Sequence, residues 1–348
     1  MWTSNDIFVE DLAQLSQSTM IPWQELHGKT VFLTGATGLI GQTVTSALLY
    51  YEQQNNAGIK VIALVRDLER AQALFAEQLA DNCALEFVVG TVEEIPLVPN
   101  QVDYIIHCAC PTNSTYFVEH PVDTIQTIVG GTQNVLELAR EKAVQGMVYL
   151  SSMEVYGQIS DRKRLGESEI GFIDLASPRS SYPEGKRLAE NLCCCYASQF
   201  EVPVSVARLV QTFGPGVPYD DGRVFAYMAR CAKQGEDILL KTSGSKENMY
   251  LYTADAVSAI LVLLLRGEKG TTYNVANEET YCSVKEMAEL VACALAGDTI
   301  QVQTNVGGDS SMYRPEGYLN LDASKLKELG WSATVGLREM FLRMTASF

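Results

Sequence analysis

Thr34-Gly35-Ala36-Thr37-Gly38-Leu39-Ile40-Gly41 is the stretch that leaves this chain the least freedom. An apolar run, Val31-Phe32-Leu33, leads into it. A segment with Val44, Ala47, Leu48 and Tyr51 on one helical face follows. Strand, glycine-rich turn and helix in that order predict the phosphate-binding turn of a dinucleotide fold. In this reading Gly35 permits the tight turn and Gly38 lets backbone N–H groups approach a pyrophosphate. Gly41 allows close packing of the helix on its strand, and Thr37, Leu39 and Ile40 complete the cradle. The helix N-terminus adds partial positive charge toward the anion. Glycines also serve ordinary turns, so the flanking strand and helix carry the argument.

The rest of the chain repeats that alternation. Lys60 to Val65, Glu86 to Val89, Val102 to His107, Gly146 to Ser151 and Val204 to Leu209 read as further strands. Pro121 to Lys142 and Ser180 to Phe200 read as long helices between them. Such alternation predicts an α/β fold, a Rossmann-like doubly wound parallel sheet with helices on both faces. The apolar Gly146–Ser151 run suits a central strand. Beyond Gln211-Thr212-Phe213-Gly214-Pro215-Gly216 the pattern changes to separated helices, 223–234, 254–266 and 283–295, with short strands between. The predicted organisation is an N-terminal helical preface over 1–27, with Ile7, Leu12, Leu15 and Trp23 available to pack on the first strand. A dinucleotide-binding domain follows over 28–215. A smaller, mixed substrate-binding lobe over 216–348 caps the sheet, with exchange of strands between the two left open.

Bulk properties narrow the class. The 348 residues are 47% hydrophobic and 20% charged, which suits a globular enzyme rather than a disordered chain. A formal net charge of -16 disfavours nonspecific binding to nucleic acid or an anionic membrane. The apolar run Ala256–Leu265 is too short to span a bilayer, and Asp6, Glu10 and Asp11 precede Lys29 where a signal peptide would be cationic. Nine cysteines at odd spacings and only three histidines argue against a metal site. Consecutive Cys193-Cys194-Cys195 point in different directions on a helix. They read as small apolar fillers, and the expected location is the reducing cytoplasm.

Tyr182 and Lys186, four apart on a predicted helix, share one face. An ammonium near a phenol favours the phenolate, which makes a usable base. Ser152 lies just past the fifth strand, at the carboxyl end where open α/β sheets bind ligands. Together the three can hold a substrate hydroxyl, remove its proton and orient a nicotinamide ribose. Among sixteen tyrosines this spacing also arises by chance, on a surface helix that does nothing chemical. At the end of the second strand, where an acidic residue would bind the ribose hydroxyls of NAD, stand Val65 and Arg66. A guanidinium there suits the 2′-phosphate of NADP, which is therefore slightly favoured over NAD; an idle surface Arg is the alternative.

With the glycine turn, Ser151-Ser152-Met153-Glu154-Val155-Tyr156-Gly157 and Tyr182-Pro183-Glu184-Gly185-Lys186-Arg187 in view, the chain from Gly28 to Trp331 resembles the extended short-chain dehydrogenases/reductases. The branch is that of nucleotide-sugar epimerases, dehydratases and decarboxylases. Ala207-Arg208, Thr212-Phe213-Gly214-Pro215 and Asp221-Gly222-Arg223-Val224 look most like UDP-glucuronate decarboxylases. The resemblance implies a nucleotide-sugar substrate, a retained cofactor and a homodimer built from the two long helices. It implies Tyr182 as base, Lys186 as its partner, Ser152 as hydroxyl anchor and Glu154 as an acid/base group facing the sugar. A carboxylate that merely caps the following turn is the alternative for Glu154.

Cys108 and Ala109, small residues that continue the fourth strand, suit close approach by a cofactor, and the resemblance puts Thr91 and Val92 where an acidic residue usually meets adenine. Gln211, Arg223 and Arg314 become the expected substrate contacts. Met153 stands where dehydratases carry an aspartate, which counts against simple 4,6-dehydration. Asn248 stands where an arginine usually grips the diphosphate, which leaves Arg208, Arg223 and Arg314 for an anion. Two alternatives stay open: an NADPH-dependent reductase of a sugar or other carbonyl substrate, and a catalytically silent binding protein on the same fold.

Overall fold

The computed structural model describes residues 5–81, 84–98, 101–112, 114–304 and 317–348. Its centre is a seven-stranded sheet in which every neighbouring pair is parallel. In spatial order the strands are Thr272–Val275, Val204–Leu209, Gly146–Ser152, Tyr104–His107, Thr30–Thr34, Lys60–Val65 and Leu85–Val89. The strands are apolar on both sides because both faces are covered. Within Thr30–Thr34, Val31 and Leu33 enter one core while Phe32 enters the other. Within Gly146–Ser152, Met147 and Tyr149 alternate with Val148 and Leu150 in the same way. The sheet order reverses between Thr30–Thr34 and Tyr104–His107, and crevices at such reversals bind ligands at the strands' carboxyl ends.

One face is packed by helices Leu39–Asn55 and Thr253–Arg266, through Val44, Leu48, Ala256 and Ile260. The other is packed by Gly131–Lys142 and Ser181–Phe200, through Val135, Leu136, Ala189 and Cys193. The chain after residue 216 thus serves two places. Its helix Thr253–Arg266 and strand Thr272–Val275 complete the large sheet, and Leu319, Leu321, Leu326 and Trp331 join the same core, while other segments build a second one. That core joins helices Val224–Gln234, Val284–Ala296 and Leu337–Ala346 to a three-stranded sheet. The order there is Asn277–Ser283, Glu247–Tyr252, Gln211–Phe213. Leu39, at the start of the glycine-turn helix, packs against this second core and sets it over the mouth of the sheet.

Two expectations change in detail. The N-terminal helix, Asp6–Gln17, packs on helices Leu39–Asn55 and Thr253–Arg266 rather than on the first strand. Its buried Asp11 accepts hydrogen bonds from the Tyr252 hydroxyl and from Arg343, which fixes the preface to the second core. The predicted helix 121–142 contains a wider π turn, Gln126–Gly130. Such a turn absorbs an extra residue. Thr124, Ile128 and Thr132 nonetheless stay buried on the sheet side. Gly131 is needed directly after the turn, since a Cβ there would stand 2.6 Å from Cγ2 of Val92.

Candidate active site

The glycine turn is shaped by contacts within the chain and leaves one position open. Gly35 has φ +72, and a Cβ on it would stand 2.7 Å from the Ala109 nitrogen. A Cβ on Gly41 would lie 2.1 Å from the Gly35 carbonyl oxygen. Gly38 differs: a Cβ there would meet only that oxygen, at 3.4 Å, and the residue is exposed. Gly38 is also the N-cap of Leu39–Asn55, and no side chain caps this helix. The N–H groups of Leu39, Ile40 and Gly41 therefore have no carbonyl within the helix. No acidic residue stands in its first turn. Uncapped N–H donors beside an open glycine fit a dinucleotide's pyrophosphate. Thr37 lies half-buried at the same rim.

Beneath the turn runs a directed chain of hydrogen bonds that sequence reading missed. Ala109 N–H donates to Thr34 Oγ1 (3.1 Å), and Thr34 Oγ1 lies 2.7 Å from His107 Nδ1. His107 Nε2 lies 3.2 Å from Thr132 Oγ1, whose own proton goes to the Ile128 carbonyl (2.5 Å). Because Thr132 spends its proton on a carbonyl, it accepts from Nε2–H, and Nδ1 accepts from Thr34. Burial, followed by the Lys186 charge, pushes His107 down to about 3, so the imidazole is neutral. This chain locks Cys108 and Ala109 against the glycine turn, with Cys108 N–H also bonded to the Thr34 carbonyl (3.2 Å). Burial pushes the Cys108 thiol up to about 12, which leaves it inert.

The adenosine side is made of the ends of strands Lys60–Val65 and Leu85–Val89. Arg66 is exposed just past buried Val65. Asp67 is engaged, its carboxylate capping the next helix at Arg70 N–H (3.0 Å). Thr91 Oγ1 accepts from Glu94 N–H (3.2 Å). Val92 is buried against Gly131, and its carbonyl accepts from Asn134 (3.0 Å).

Across the cleft, Ser152, Tyr182, Lys186 and Glu154 come together. Strand Gly146–Ser152 ends at Ser152, whose Oγ accepts from Glu154 N–H (3.2 Å) and so opens the short 3-10 turn Met153–Tyr156. Ser152 acts on the Tyr182 phenol in the direction that favours its ionisation, and the Tyr182 ring stacks on Phe117 with centroids 4.3 Å apart. Lys186, one turn later on helix Ser181–Phe200, donates to the Leu150 carbonyl (2.6 Å). Its Nζ lies 4.7 Å from the Tyr149 ring and 5.9 Å from that of Tyr182.

The phenol's direction corrects the expectation from spacing. Burial lifts Tyr182 well above the ordinary phenol range, and the charges of Cys110 and Glu154 add to this. The Ser152 hydrogen bond and the Arg179 charge oppose them without overcoming burial. Desolvation is the largest of these influences and sets the direction.

The arginines and glutamate are more occupied than the sequence suggests. Glu154 takes Arg179, whose Nη2 lies 3.0 and 2.8 Å from its two oxygens. Arg179, three residues and about one helical turn before Tyr182, was signalled by that spacing and overlooked. Nothing local marks Phe117. Arg208, read as a cation for an anionic ligand, is buried and consumed by Glu190 (2.7–3.1 Å), the Tyr156 hydroxyl (3.1 Å) and the Glu167 carbonyl (2.7 Å). Its place behind the strand end, rather than in the cleft, removes it from the substrate side. Arg223 chelates Asp221 through Nε and Nη2 at 2.7–3.1 Å and lies over Phe225. Arg314 falls outside the described residues. Gln211 Oε1 and Asn248 Oδ1 are buried without a hydrogen-bond partner. Buried amides so placed are groups that a ligand or water normally satisfies. Among the described residues no cluster of His, Cys, Asp or Glu would hold a metal ion, and no helix is long and apolar enough to cross a membrane.

Comparison with known proteins gives the chain a family. The pattern of the NAD dependent epimerase/dehydratase family matches residues 31–276. UDP-glucuronic acid decarboxylase 6 of Arabidopsis thaliana is 34% identical over 320 residues, covering 91% of this chain and 88% of that protein. UDP-glucuronic acid decarboxylase 1 of Danio rerio is 30% identical, covering 90% and 71%. Among solved structures, UDP-glucuronic acid 4-epimerase from Bacillus cereus, in complex with UDP-glucuronic acid and NAD, shares the fold with a TM-score of 0.73. Its identity is 19%, with 91% of this chain and 98% of that one covered. UDP-glucose 4-epimerase from Thermotoga maritima gives a TM-score of 0.74 at 21% identity, with 92% and 98% covered. By the match over residues 31–276 and by these relatives, the chain belongs to the NAD dependent epimerase/dehydratase family.

Proposed function

We propose that this enzyme remodels a nucleotide-activated sugar through a transient keto-sugar, and that its net reaction is decarboxylation of a nucleotide-linked hexuronic acid. The observation that carries this is the convergence of Ser152, Tyr182, Lys186 and Glu154 on the cleft mouth, together with relatives that are UDP-glucuronic acid decarboxylases. A retained nicotinamide dinucleotide, when bound, supplies the oxidation by accepting a hydride and later returning it. Ser152 and Tyr182 hold the sugar hydroxyl, and Tyr182 takes its proton as the carbinol becomes a ketone. A ketone placed β to the carboxylate lets that group leave as carbon dioxide, the electron pair passing to the carbonyl oxygen. Protonation of the enolate at carbon restores the ketone, and Tyr182 gives its proton back to the oxygen as the carbinol re-forms. Met153 offers no proton for dehydration, which supports decarboxylation over loss of water.

On the cofactor we favour NADP slightly over NAD, since Arg66 is exposed and Asp67 is engaged in capping. Asn248 and Arg66 together support a second reading, reduction of a carbonyl substrate by NADPH. Incubating the protein with UDP-glucuronate and either oxidised cofactor separates the two. Release of carbon dioxide with a UDP-pentose product, and no net change in cofactor, is expected. Steady NADPH oxidation with carbonyl substrates and no UDP-sugar turnover would select the reductase.

A homodimer is part of the proposal. Val122, Ile125, Leu188 and Phe200 are exposed apolar residues on the two long helices. Ala189, Cys193 and Ala197 form the opposite, inward stripe and are buried in the subunit's own core. The informative substitution is therefore Leu188→Glu, which should drive sedimentation toward a monomer. Ala197→Glu would only disrupt the fold. An unmutated protein that sediments as a monomer refutes the dimer.

A further inference from the structure

Arg179 belongs to no motif that identified the site, yet it reaches the reacting tyrosine from two directions. Its guanidinium lies 5.1 Å from the centroid of Phe117, the ring that stacks on Tyr182. The same guanidinium holds both oxygens of Glu154 through Nη2. Both partners of this pair are mostly covered, with side-chain exposures of 30% and 22%. Glu154 is in turn joined to Ser152, its backbone N–H donating to the Ser152 hydroxyl. A run of contacts thus leads from the Tyr182 ring through Phe117, the guanidinium and the carboxylate to Ser152.

From this geometry we infer that Arg179 is a positioning residue, which fixes the Glu154 carboxylate and balances its charge against the Tyr182 phenolate. The inference rests on Tyr182 being the base. A fixed negative charge beside a phenol opposes its ionisation, and a fixed positive charge favours it. The pair contributes both at once, Glu154 opposing and Arg179 assisting. The other groups around the phenol are Cys110 beyond strand Tyr104–His107, Ser152 at the end of its own strand, and Lys186 one helical turn away. None of them is changed by substituting Arg179 or Glu154. The two substitutions should therefore act in opposite directions and cancel when combined. A residue that only stabilises the fold would not give that signature.

The test compares wild type, Arg179→Gln, Glu154→Gln and the double variant, all loaded with whichever of NADP and NAD wild type binds more tightly. Two readouts are taken against pH. One is the rising limb of kcat with UDP-glucuronate. The other is the near-ultraviolet phenolate absorbance, each protein measured against the same protein carrying Tyr182→Phe. The midpoint should rise by about one pH unit in Arg179→Gln, fall by about one in Glu154→Gln, and return near wild type in the double variant. Arg179→Lys, which keeps the charge, should recover most of the midpoint. If UDP-glucuronate is not turned over, the substrate reading fails and the phenolate titration decides alone. Full activity in Tyr182→Phe would remove the base itself, a separate failure. Midpoints that coincide in all four proteins, a missing phenolate signal in all four, or shifts of the same sign in both single variants would overturn the inference.

Discussion

On the nucleotide side of the cleft, the groups offered to a ligand are backbone N–H donors at an uncapped helix end. On the side proposed for the sugar they are side chains, and Arg179 and Arg223 each already hold a carboxylate. The first surface needs no rearrangement to receive an anion. The second must exchange internal partners for the ligand, or use the unpartnered amides of Gln211 and Asn248. The difference teaches where binding strength and selectivity reside. Donors fixed by the main chain give affinity for any dinucleotide phosphate. A side-chain surface that is already satisfied admits only a ligand that repays the lost pairs.

The largest effect should come from the backbone that makes the first surface. Gly41→Ala sets a methyl 2.1 Å from the Gly35 carbonyl oxygen, and neither backbone can yield. It should cost about 3 kcal/mol or more of stability, measured by denaturant unfolding, and abolish dinucleotide binding. Gly38→Ala meets only ordinary space in the free protein, so it should fold normally and lose affinity alone. If Gly38→Ala binds dinucleotide as tightly as wild type, the open position is not where the pyrophosphate lies.

Next in size is Tyr182→Phe, which leaves the stack on Phe117 in place and removes the proton-transfer group. Turnover should fall by about 10²–10⁴-fold, with dinucleotide binding nearly unchanged by calorimetry. Retained full activity would take Tyr182 out of the chemistry and leave the sugar side without a base.

The neutral histidine under the glycine turn gives a smaller, pH-dependent effect. His107 sits at about 3 in the folded protein against an ordinary 6.5. With the folded value depressed, the native state refuses a proton that the unfolded chain accepts. The stability from this residue is complete above 6.5 and is lost progressively as pH falls toward 3. At pH 5 the loss should be about 2 kcal/mol, at roughly 1.4 kcal/mol per pH unit. His107→Asn should be less stable than wild type at pH 7 and closer to it at pH 5, in urea unfolding at both. A gap of constant size would show that the imidazole is protonated at no cost.

The same contrast explains what the sequence could reveal. Glycines with the right neighbours announce a backbone surface, because a Cβ at Gly35 or Gly41 collides with the chain itself. The strands were legible because burial on both faces leaves an unbroken apolar run, as in Lys60–Val65. The Tyr182–Lys186 spacing was legible because one helix carries both. Arg208 looked like a free cation because its partner Glu190 lies on another element, eighteen residues away in sequence. Pairing across elements is a property of the fold and leaves no local trace. The direction of the Tyr182 phenol was misjudged for a related reason: spacing shows a nearby charge, but the desolvation that outweighs it comes from burial among residues far away in sequence, such as Phe117.

Arg66 should show the smallest effect, and it is the one cation of the nucleotide side that can sharpen the comparison. It is exposed, and it contributes to the field at Glu93, so a ligand phosphate must share it with that carboxylate. Burial alone would raise Glu93. Hydrogen bonds from Thr127, its own backbone and Thr91, with the Arg66 charge, bring it below the ordinary range instead. A 2′-phosphate carries more charge than the carboxylate and makes charge-assisted bonds to a guanidinium, while NAD has no group there. Removing such a bond at an exposed site is worth about 1.5 kcal/mol, or roughly tenfold in affinity, and added salt should shrink it. Arg66→Ala should therefore weaken NADP about tenfold and barely change NAD, by calorimetric titration of both cofactors against both proteins. Equal losses for the two cofactors, or a wild-type preference for NAD, would return Arg66 to the surface and leave the nucleotide side entirely to its backbone.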